Sequence, residues 1–196
     1  EETKKMWHVY QDFFKNFLAI SGVSGEKSEN ERFAGADNTY TIECMMQDGK
    51  ALQACTSHYL GQSFAKAFDV KFVNKENQSE YVYATSWGAS TRMMGGLIMS
   101  HSDDKGLVLP PAMAPIHVVI VPIGKTDDDK DMVKTFIEKK IIPQIQQVNF
   151  TIESEFLGKV QIPLQVKVDR DDQKSMGWKY TQYELQGVPL RIGVGP

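Results

Sequence analysis

Arg92 is the residue whose position most needs a chemical explanation, because it directly follows Ala89-Ser-Thr at a predicted helix start. A helix N-terminus already presents unpaired N–H groups and the positive end of the macrodipole, which disfavours a cation there by roughly 0.3–1 kcal/mol. The pair Gly95-Gly96 in the same apolar helix costs about 1 kcal/mol more per glycine than alanine. An anionic ligand beside Arg92 would explain this pattern, and so would an amphipathic helix whose arginine pairs with a carboxylate.

The elements that must position Arg92 are a strand, a turn and a helix. A β-favouring run at residues 81–83 leads into a tight segment at Ser86-Trp-Gly88, and an apolar helix follows over residues 93–99. The pattern therefore predicts a cation at a strand-to-helix junction.

Upstream of this junction the sequence predicts antiparallel pairing. Residues 39–46 alternate in part, Asp48-Gly49 supplies a hairpin turn, and residues 51–56 return. The other elements predicted for this part are a helix over residues 6–17, a short helix over residues 57–68, and a second hairpin over residues 70–72 and 80–84.

Downstream, the prolines Pro110, Pro111 and Pro115 cannot continue a helix or a central strand, so we place a domain boundary at residues 113/114. Residues 116–122 form a continuous apolar run, which is typical of a buried parallel strand. The elements predicted after it are an acidic turn at residues 127–129, a helix through residues 132–141, a broken helix over residues 144–156, and strands at residues 166–168 and 191–194. This order predicts a βαβ arrangement with a mixed or mostly parallel sheet.

Composition sets wider limits on function. The chain has 196 residues, 41% of them hydrophobic, which is enough for one large domain or two small ones. A net charge of −3 excludes a strongly basic nucleic-acid binder, so any RNA contact must come from a local patch. Cys44 and Cys55 make no metal-ligand spacing with the histidines, and we expect reduced thiols. With no signal-peptide pattern and no run of ~20 apolar residues, we expect a cytoplasmic protein without a membrane span.

Several segments together resemble the class II aminoacyl-tRNA synthetases, in the prolyl-tRNA synthetase form of archaeal and eukaryotic type. Residues 85–95 (TSWGASTRMMG) and 103–111 (DDKGLVLPP) are similar to the third signature motif of that family. The other segments similar in order and spacing are Glu31–Asp37, Ala51–Gln62, Met176–Tyr180 and Glu184–Pro189. The resemblance covers nearly the whole chain and is weakest from residue 127 to residue 164.

This resemblance implies an α+β fold in two parts. Residues 1–113 would be the C-terminal half of a class II antiparallel-sheet catalytic domain. Residues 114–196 would be an anticodon-binding α/β domain with a mixed sheet, truncated at its C-terminus.

The resemblance also implies a reaction and its site. Proline would be activated by ATP, with Mg²⁺, to prolyl-adenylate and then transferred to tRNA(Pro). Arg92 would be the catalytic residue at the ATP phosphates, Gln53 and Thr56 would help hold the nucleotide, and no side chain is expected to bind a metal. The residues matching the wall of the proline pocket are His58, Ser86, Trp87 and Gly88.

Each of these residues also fits a structural role when taken singly. His58 could cap a helix, Trp87 could be core, and Gln53 could face solvent. In the second domain we expect Arg170, Lys179 and Glu184 to contact tRNA bases or backbone, and a solvated charged surface fits them equally well.

The chain also departs from the family pattern. The first two class II motifs, including the arginine that binds ATP and the amino-acid carboxylate, are expected upstream of Glu1. We therefore expect a fragment that is inactive alone, belonging to an enzyme that is a homodimer when intact. The alternatives are a synthetase-derived, non-catalytic RNA-binding or regulatory protein, and an unrelated α/β nucleotide-binding protein.

Overall fold

The computed structural model describes every residue from Glu1 to Pro196 and divides the chain into two compact units. The first unit comprises residues 1–15 and 20–96, and the second comprises residues 16–19 and 97–196. The assignment of residues 1–113 and 114–196 to two functional domains stays a prediction.

The first unit is built on a four-stranded antiparallel sheet with the order β1-β2-β3-β6. Its strands are β1 Gly22–Glu26, β2 Asn38–Met45, β3 Ala51–Gly61 and β6 Ala84–Ala89. A separate antiparallel hairpin pairs β4 Lys71–Val73 with β5 Ser79–Tyr81. The helical segments that lie wholly or partly in this unit are α1 Glu2–Asp12, a π-helical turn Phe13–Phe17, a 3-10 turn Glu29–Glu31, α2 Ser63–Ala67 and α3 Arg92–His101.

The helix α1 covers one face of this sheet. The Trp7 indole N–H donates to the Thr41 carbonyl at 3.0 Å, and its ring packs against Tyr40 with centroids 5.2 Å apart. The Ser57 hydroxyl, which is fully buried, donates to the Thr3 carbonyl at 2.8 Å. These contacts leave the other face of β3 and β6 for polar side chains.

The β2–β3 hairpin confirms the predicted turn at Asp48-Gly49. Gly49 has a φ of +79°, a conformation that glycine adopts without steric cost, and the Lys50 N–H donates to Asp48 Oδ1 at 3.1 Å. Gly96 has a packing role in α3, because a Cβ there would lie 3.0 Å from Leu52 Cδ2 of β3.

Three sequence predictions for this unit are wrong in detail. Residues 57–61 continue β3 instead of opening a helix, because this backbone pairs with β2 on one side and β6 on the other, and α2 begins only at Ser63. Ser86–Gly88 are the middle of β6 instead of a tight turn. The run at residues 81–83 is not one strand, since β5 ends at Tyr81 and β6 begins at Ala84.

The second unit is built on a three-stranded parallel sheet with the order β10-β7-β11. Its strands are β7 Val118–Pro122, β10 Val166–Val168 and β11 Leu190–Val194, and a separate hairpin pairs β8 Asn149–Ser154 with β9 Gly158–Pro163. Its helical segments are α4 Asp127–Phe136, a π-helical turn Ile137–Ile141, α5 Ile142–Ile145 and α6 Met176–Leu185.

Apolar cores cover both faces of β7, as its continuous apolar run predicts. Val118 and Ile120 pack with Val133 of α4 on one face. Val119 and Val121 pack on the other face with Tyr183 of α6 and with Val188.

The predicted broken helix over residues 144–156 is wrong. The helical stretch ends at Ile145, and residues 149–154 instead form the first strand of the β8–β9 hairpin. Phe150 pairs with Ile162, and Ile152 with Val160, which satisfies the backbone of both strands. The α+β class and the antiparallel sheet agree with the sequence prediction. No helix of the structure combines the length and the apolar character needed to cross a membrane.

Candidate functional site

A cleft of about 370 Å³ lies over β3, β6 and the start of α3 in the first unit. Its lining includes all seven residues predicted for the nucleotide and proline sites, namely Gln53, Thr56, His58, Ser86, Trp87, Gly88 and Arg92. They come from two separate stretches of the sequence, and the antiparallel pairing of β3 with β6 brings these stretches together.

The β3–β6 ladder sets which side chains share a face. Thr56 pairs with Gly88, and His58 pairs with Ser86, so these four positions project to the same side of the sheet. A Cβ at Gly88 would meet no atom within 4 Å, so its lack of a side chain leaves open space beside Thr56.

Trp87 occupies the alternate position in this ladder. It pairs with Ser57, whose side chain is buried on the α1 side of the sheet, and its own side chain is half-exposed. By the alternation of strand residues, the Trp87 ring belongs to the Ser57 face, and Trp87 lines the cleft through its backbone. The aromatic wall expected from Trp87 therefore stays a prediction that this register does not favour.

Arg92 is exposed at the first position of α3, where its backbone N–H donates to Ser90 Oγ at 3.2 Å. Its guanidinium Nη1 donates to the Gln53 carbonyl at 3.3 Å. No ion pair in the structure includes Arg92, and no carboxylate lines the cleft. The alternative of a helix arginine neutralised by Asp or Glu thus finds no support, and its charge is available to an anionic ligand.

Lys27 brings a second cation to this region. Its Nζ donates to Gln53 Oε1 at 2.5 Å, so Gln53 is held by Lys27 through its side chain and by Arg92 through its backbone. Sequence reasoning missed Lys27 because residues 26–32 resemble a flexible charged segment, and its partner lies 26 positions away.

His58 is oriented by two residues that sequence reasoning also missed. Its Nδ1 lies 3.0 Å from Thr39 Oγ1, and its ring centroid lies 5.0 Å from that of Phe33. Burial lowers the pKa of His58 below its ordinary value, and the nearby Lys27 charge lowers it further, so the imidazole is neutral near pH 7. Phe33 could have been found, since it lies in the segment Glu31–Asp37 that resembles the family.

Cys55 lines the cleft but is not a reactive thiol. Burial, together with the neighbouring Cys44, raises the pKa of Cys55 to about 12. Both cysteines are buried and unpaired, in line with the expectation of reduced thiols.

The residues predicted to contact tRNA have different surroundings in the second unit. Arg170 is exposed and lies 3.7 Å from Glu138, whereas Glu184 lies 3.6 Å from Arg191. Lys179 is buried, and its Nζ lies 3.1 Å from Asp169 Oδ1. In this conformation Lys179 offers no free charge to an RNA.

The family of the chain follows from residues 1–101, which match the model of the tRNA synthetase class II core domain (G, H, P, S and T). These residues are more than half of the chain and include the whole cleft. The chain belongs to this class II synthetase family.

Three curated relatives are all named for the same amino acid, proline. The chain is 53% identical over 196 residues to a protein of Christiangramia forsetii named proline–tRNA ligase, covering 100% of this chain and 37% of that protein. It is 55% identical over 197 residues to the proline–tRNA ligase of Flavobacterium johnsoniae, covering 100% of this chain and 37% of that protein. It is 54% identical over 195 residues to that of Bacteroides fragilis, covering 100% of this chain and 36% of that protein. The chain thus spans just over a third of the length of these relatives.

Proposed function

We propose that the protein is an ATP-dependent ligase that activates proline and transfers it to its tRNA. The observation that carries this proposal is the single cleft lined by Gln53, Thr56, His58, Ser86, Trp87, Gly88 and Arg92. Similarity over the full chain to proteins named proline–tRNA ligase supports the choice of amino acid.

The proposed reaction has two steps. A carboxylate oxygen of proline attacks the α-phosphorus of ATP. The bond between the α-phosphorus and the oxygen that bridges it to the β-phosphorus breaks, so that pyrophosphate leaves and prolyl-adenylate forms. A hydroxyl of the terminal tRNA ribose then attacks the acyl carbon, loses its proton, and AMP leaves. Neither step needs a covalent enzyme nucleophile, so the protein acts through positioning and charge stabilisation.

Arg92 has the central electrostatic role in this proposal. Its Nη1 bond to the Gln53 carbonyl fixes the guanidinium at the edge of β3, and its remaining donors and charge are free for phosphate oxygens. Lys27 orients the Gln53 side-chain amide by binding Oε1, which leaves the Gln53 NH₂ for the nucleotide. Thr56 completes the nucleotide side of the cleft.

The proline side of the cleft is assigned to His58, Ser86, Gly88 and the backbone of Trp87. Proline is compact and apolar, so a small open floor at Gly88 gives shape selection while polar groups hold its charged ends. Discrimination against alanine is limited in such a pocket, because a methylene is worth only ~1–3 kcal/mol.

Mg²⁺ is proposed to accompany ATP, as in class II synthetases in general. The cleft lining includes no carboxylate, and no group of three His, Cys, Asp or Glu side chains in this chain could hold a metal ion. No side chain of this chain is therefore assigned to Mg²⁺, and no step of the proposed reaction runs through it.

The second unit is proposed to serve tRNA(Pro) through its α/β fold. Arg170 and Glu184 are the accessible candidates for contacts to the anticodon, and Lys179 becomes one only if its ion pair with Asp169 opens. We also propose a cytoplasmic homodimer for the full-length protein.

The test is proline-dependent ATP–pyrophosphate exchange by the full-length protein. Replacing Arg92→Ala should lower the exchange rate by about 10²–10³-fold, the usual cost of removing one preorganised group that stabilises developing charge. Lys50→Ala is the matched control, because Lys50 is an exposed cation in a hairpin turn of the same unit, and its rate should stay at the wild-type level.

Unchanged exchange in the Arg92→Ala protein would contradict the assignment. Calorimetric titration with a non-hydrolysable prolyl-adenylate analogue, set against its alanyl counterpart, tests the amino acid. Equal affinity for both would favour a general nucleotide-binding protein instead.

A further inference from the structure

The hydroxyl of Thr39 occupies a special position behind His58. Thr39 pairs directly with His58 across the β2–β3 ladder, and the residue is 1% exposed. Thr39 Oγ1 has two hydrogen-bond partners in the structure, the Phe33 backbone N–H at 3.3 Å and the His58 Nδ1 at 3.0 Å.

These two partners determine where the protons lie. The Phe33 N–H can only donate, so Thr39 Oγ1 accepts that bond. The hydroxyl proton then needs an acceptor, and His58 Nδ1 is the acceptor within hydrogen-bond distance of this buried residue. The reverse arrangement, with Nδ1–H donating, would leave a buried hydroxyl proton without a partner, which is costly.

We propose that Thr39 is a positioning residue that holds His58 as the Nε2–H tautomer, so that His58 offers a hydrogen-bond donor to a carboxylate oxygen of the bound amino acid. The choice of the amino acid as ligand rests on the function proposed above, whereas the assignment of the His58 tautomer does not depend on that function. His58 Nε2 has no hydrogen-bond partner within the protein, and His58 lines the cleft.

Two further observations support this arrangement. The ring of Phe33 packs against the His58 ring at 5.0 Å and against the Phe64 ring of α2 at 6.3 Å, so the group that donates to Thr39 is itself anchored. The lowered pKa of His58 keeps the ring neutral near pH 7, which is the state in which one nitrogen donates and the other accepts.

The tautomer can be measured directly on the 196-residue chain with ¹⁵N-labelled histidine. Long-range ¹H–¹⁵N correlation spectra distinguish a protonated from an unprotonated ring nitrogen, and the His58→Gln spectrum assigns the signals of His58 among the four histidines. We expect a protonated Nε2 and an unprotonated Nδ1. A protonated Nδ1 in the wild-type chain overturns the proposal, whether or not the protein activates proline.

Substitution of Thr39 tests the functional consequence. In the full-length protein, Thr39→Val keeps the branched shape and removes the hydroxyl, so we expect a mixture of tautomers and a rise of about tenfold in the KM for proline, with the KM for ATP unchanged. Thr39→Ser restores the hydroxyl and should restore both the tautomer and the KM.

Thr41→Val is the matched control on the same face of β2. Thr41 is also buried, but its hydroxyl donates to the Cys55 carbonyl at 3.3 Å and does not contact His58. We expect the wild-type tautomer and proline KM in this variant. A shifted tautomer with an unchanged proline KM in Thr39→Val overturns the positioning role. A wild-type protein without proline-dependent exchange overturns the proposed function and leaves the NMR result to decide the tautomer.

Discussion

His58 in the first unit and His117 in the second have the same proton arrangement but opposite surroundings. In His117, Nδ1 accepts the Gln165 N–H at 2.7 Å, so Nε2 carries the proton and donates to the Pro111 carbonyl at 2.9 Å. His117 is 4% exposed, and both of its ring nitrogens are used by the backbone. In His58 only Nδ1 has a protein partner, and the residue lines a cleft.

The cations Arg92 and Lys179 differ in the same way, namely in whether the protein itself supplies their partners. Lys179 is buried against Asp169, and the two groups neutralise each other. Arg92 is exposed and makes a single side-chain bond, to a carbonyl, which leaves its charge uncompensated. The type of a residue therefore does not identify it as part of the candidate site in this chain. Polar groups whose hydrogen-bonding capacity is filled by the protein stabilise the fold, and those with capacity left over are available to a ligand.

The largest effect on stability is expected when the buried pair of the second unit is broken. Burial alone would raise the pKa of Asp169, but hydrogen bonds from the Asp171 N–H and from Lys179 outweigh it and lower the pKa below its ordinary value. Lys179→Met leaves this carboxylate buried without its cation, which should lower the free energy of unfolding by about 3–5 kcal/mol. Urea unfolding followed by circular dichroism measures the loss.

Arg170→Met is the control for Lys179→Met, because it breaks an exposed ion pair with Glu138 and should cost less than about 1 kcal/mol. If the Lys179→Met protein is as stable as the wild type but binds tRNA more weakly, Lys179 is not a structural residue. The tRNA contact expected for Lys179 from the sequence would then be favoured.

The next largest effect should come from His117. His117→Leu removes the ring partners of the Gln165 N–H and the Pro111 carbonyl, and leaving such groups unpaired should lower the free energy of unfolding by about 2 kcal/mol. His8→Leu, at an exposed position in α1, should change it by less than about 0.5 kcal/mol. Equal losses of stability in the two proteins would show that the two hydrogen bonds of the His117 ring do not stabilise the fold.

Sequence reasoning predicted the elements that local patterns encode. The turn Asp48-Gly49 and the apolar run at residues 116–122 each depend on neighbours in the chain, and the structure confirms both. The hairpin formed by β8 and β9 was missed, because two six-residue strands give too short an alternation to compete with a helical spacing carried over from α4.

In the cleft, too, the residues that a local pattern indicates were predicted, and those that depend on distant partners were not. Arg92 was found because a cation at a helix start is a local anomaly. Lys27 and Thr39 were not found, since their partners Gln53 and His58 lie 26 and 19 positions away. The helix expected from residue 57 also hid the pairing of His58 with Thr39, because only a strand at this position brings the two side chains to one face.

The smallest effect expected is a pH dependence of stability that His58 alone contributes. Burial and then the Lys27 charge lower the pKa of His58 in the folded state below the ordinary value of 6.5, so the unfolded chain binds more protons as the pH falls. The contribution of His58 to stability is therefore complete above a pH of about 6.5 and is lost as the pH falls through that value towards the lowered pKa. Urea unfolding of the wild-type chain at about pH 7.5 and about pH 5.5, compared with His58→Gln, isolates this contribution.

Lys27→Met separates the two causes of the lowered pKa. It removes the charge and leaves the burial, which is the larger cause, so the pH dependence should shrink in this variant but not reach that of His58→Gln. Lys27, Thr39, Phe33 and Ser86 lie beside His58, and of these only Lys27 carries a charge. A His58 pKa at or above 6.5 in the wild-type chain would contradict the lowering expected from burial and from Lys27.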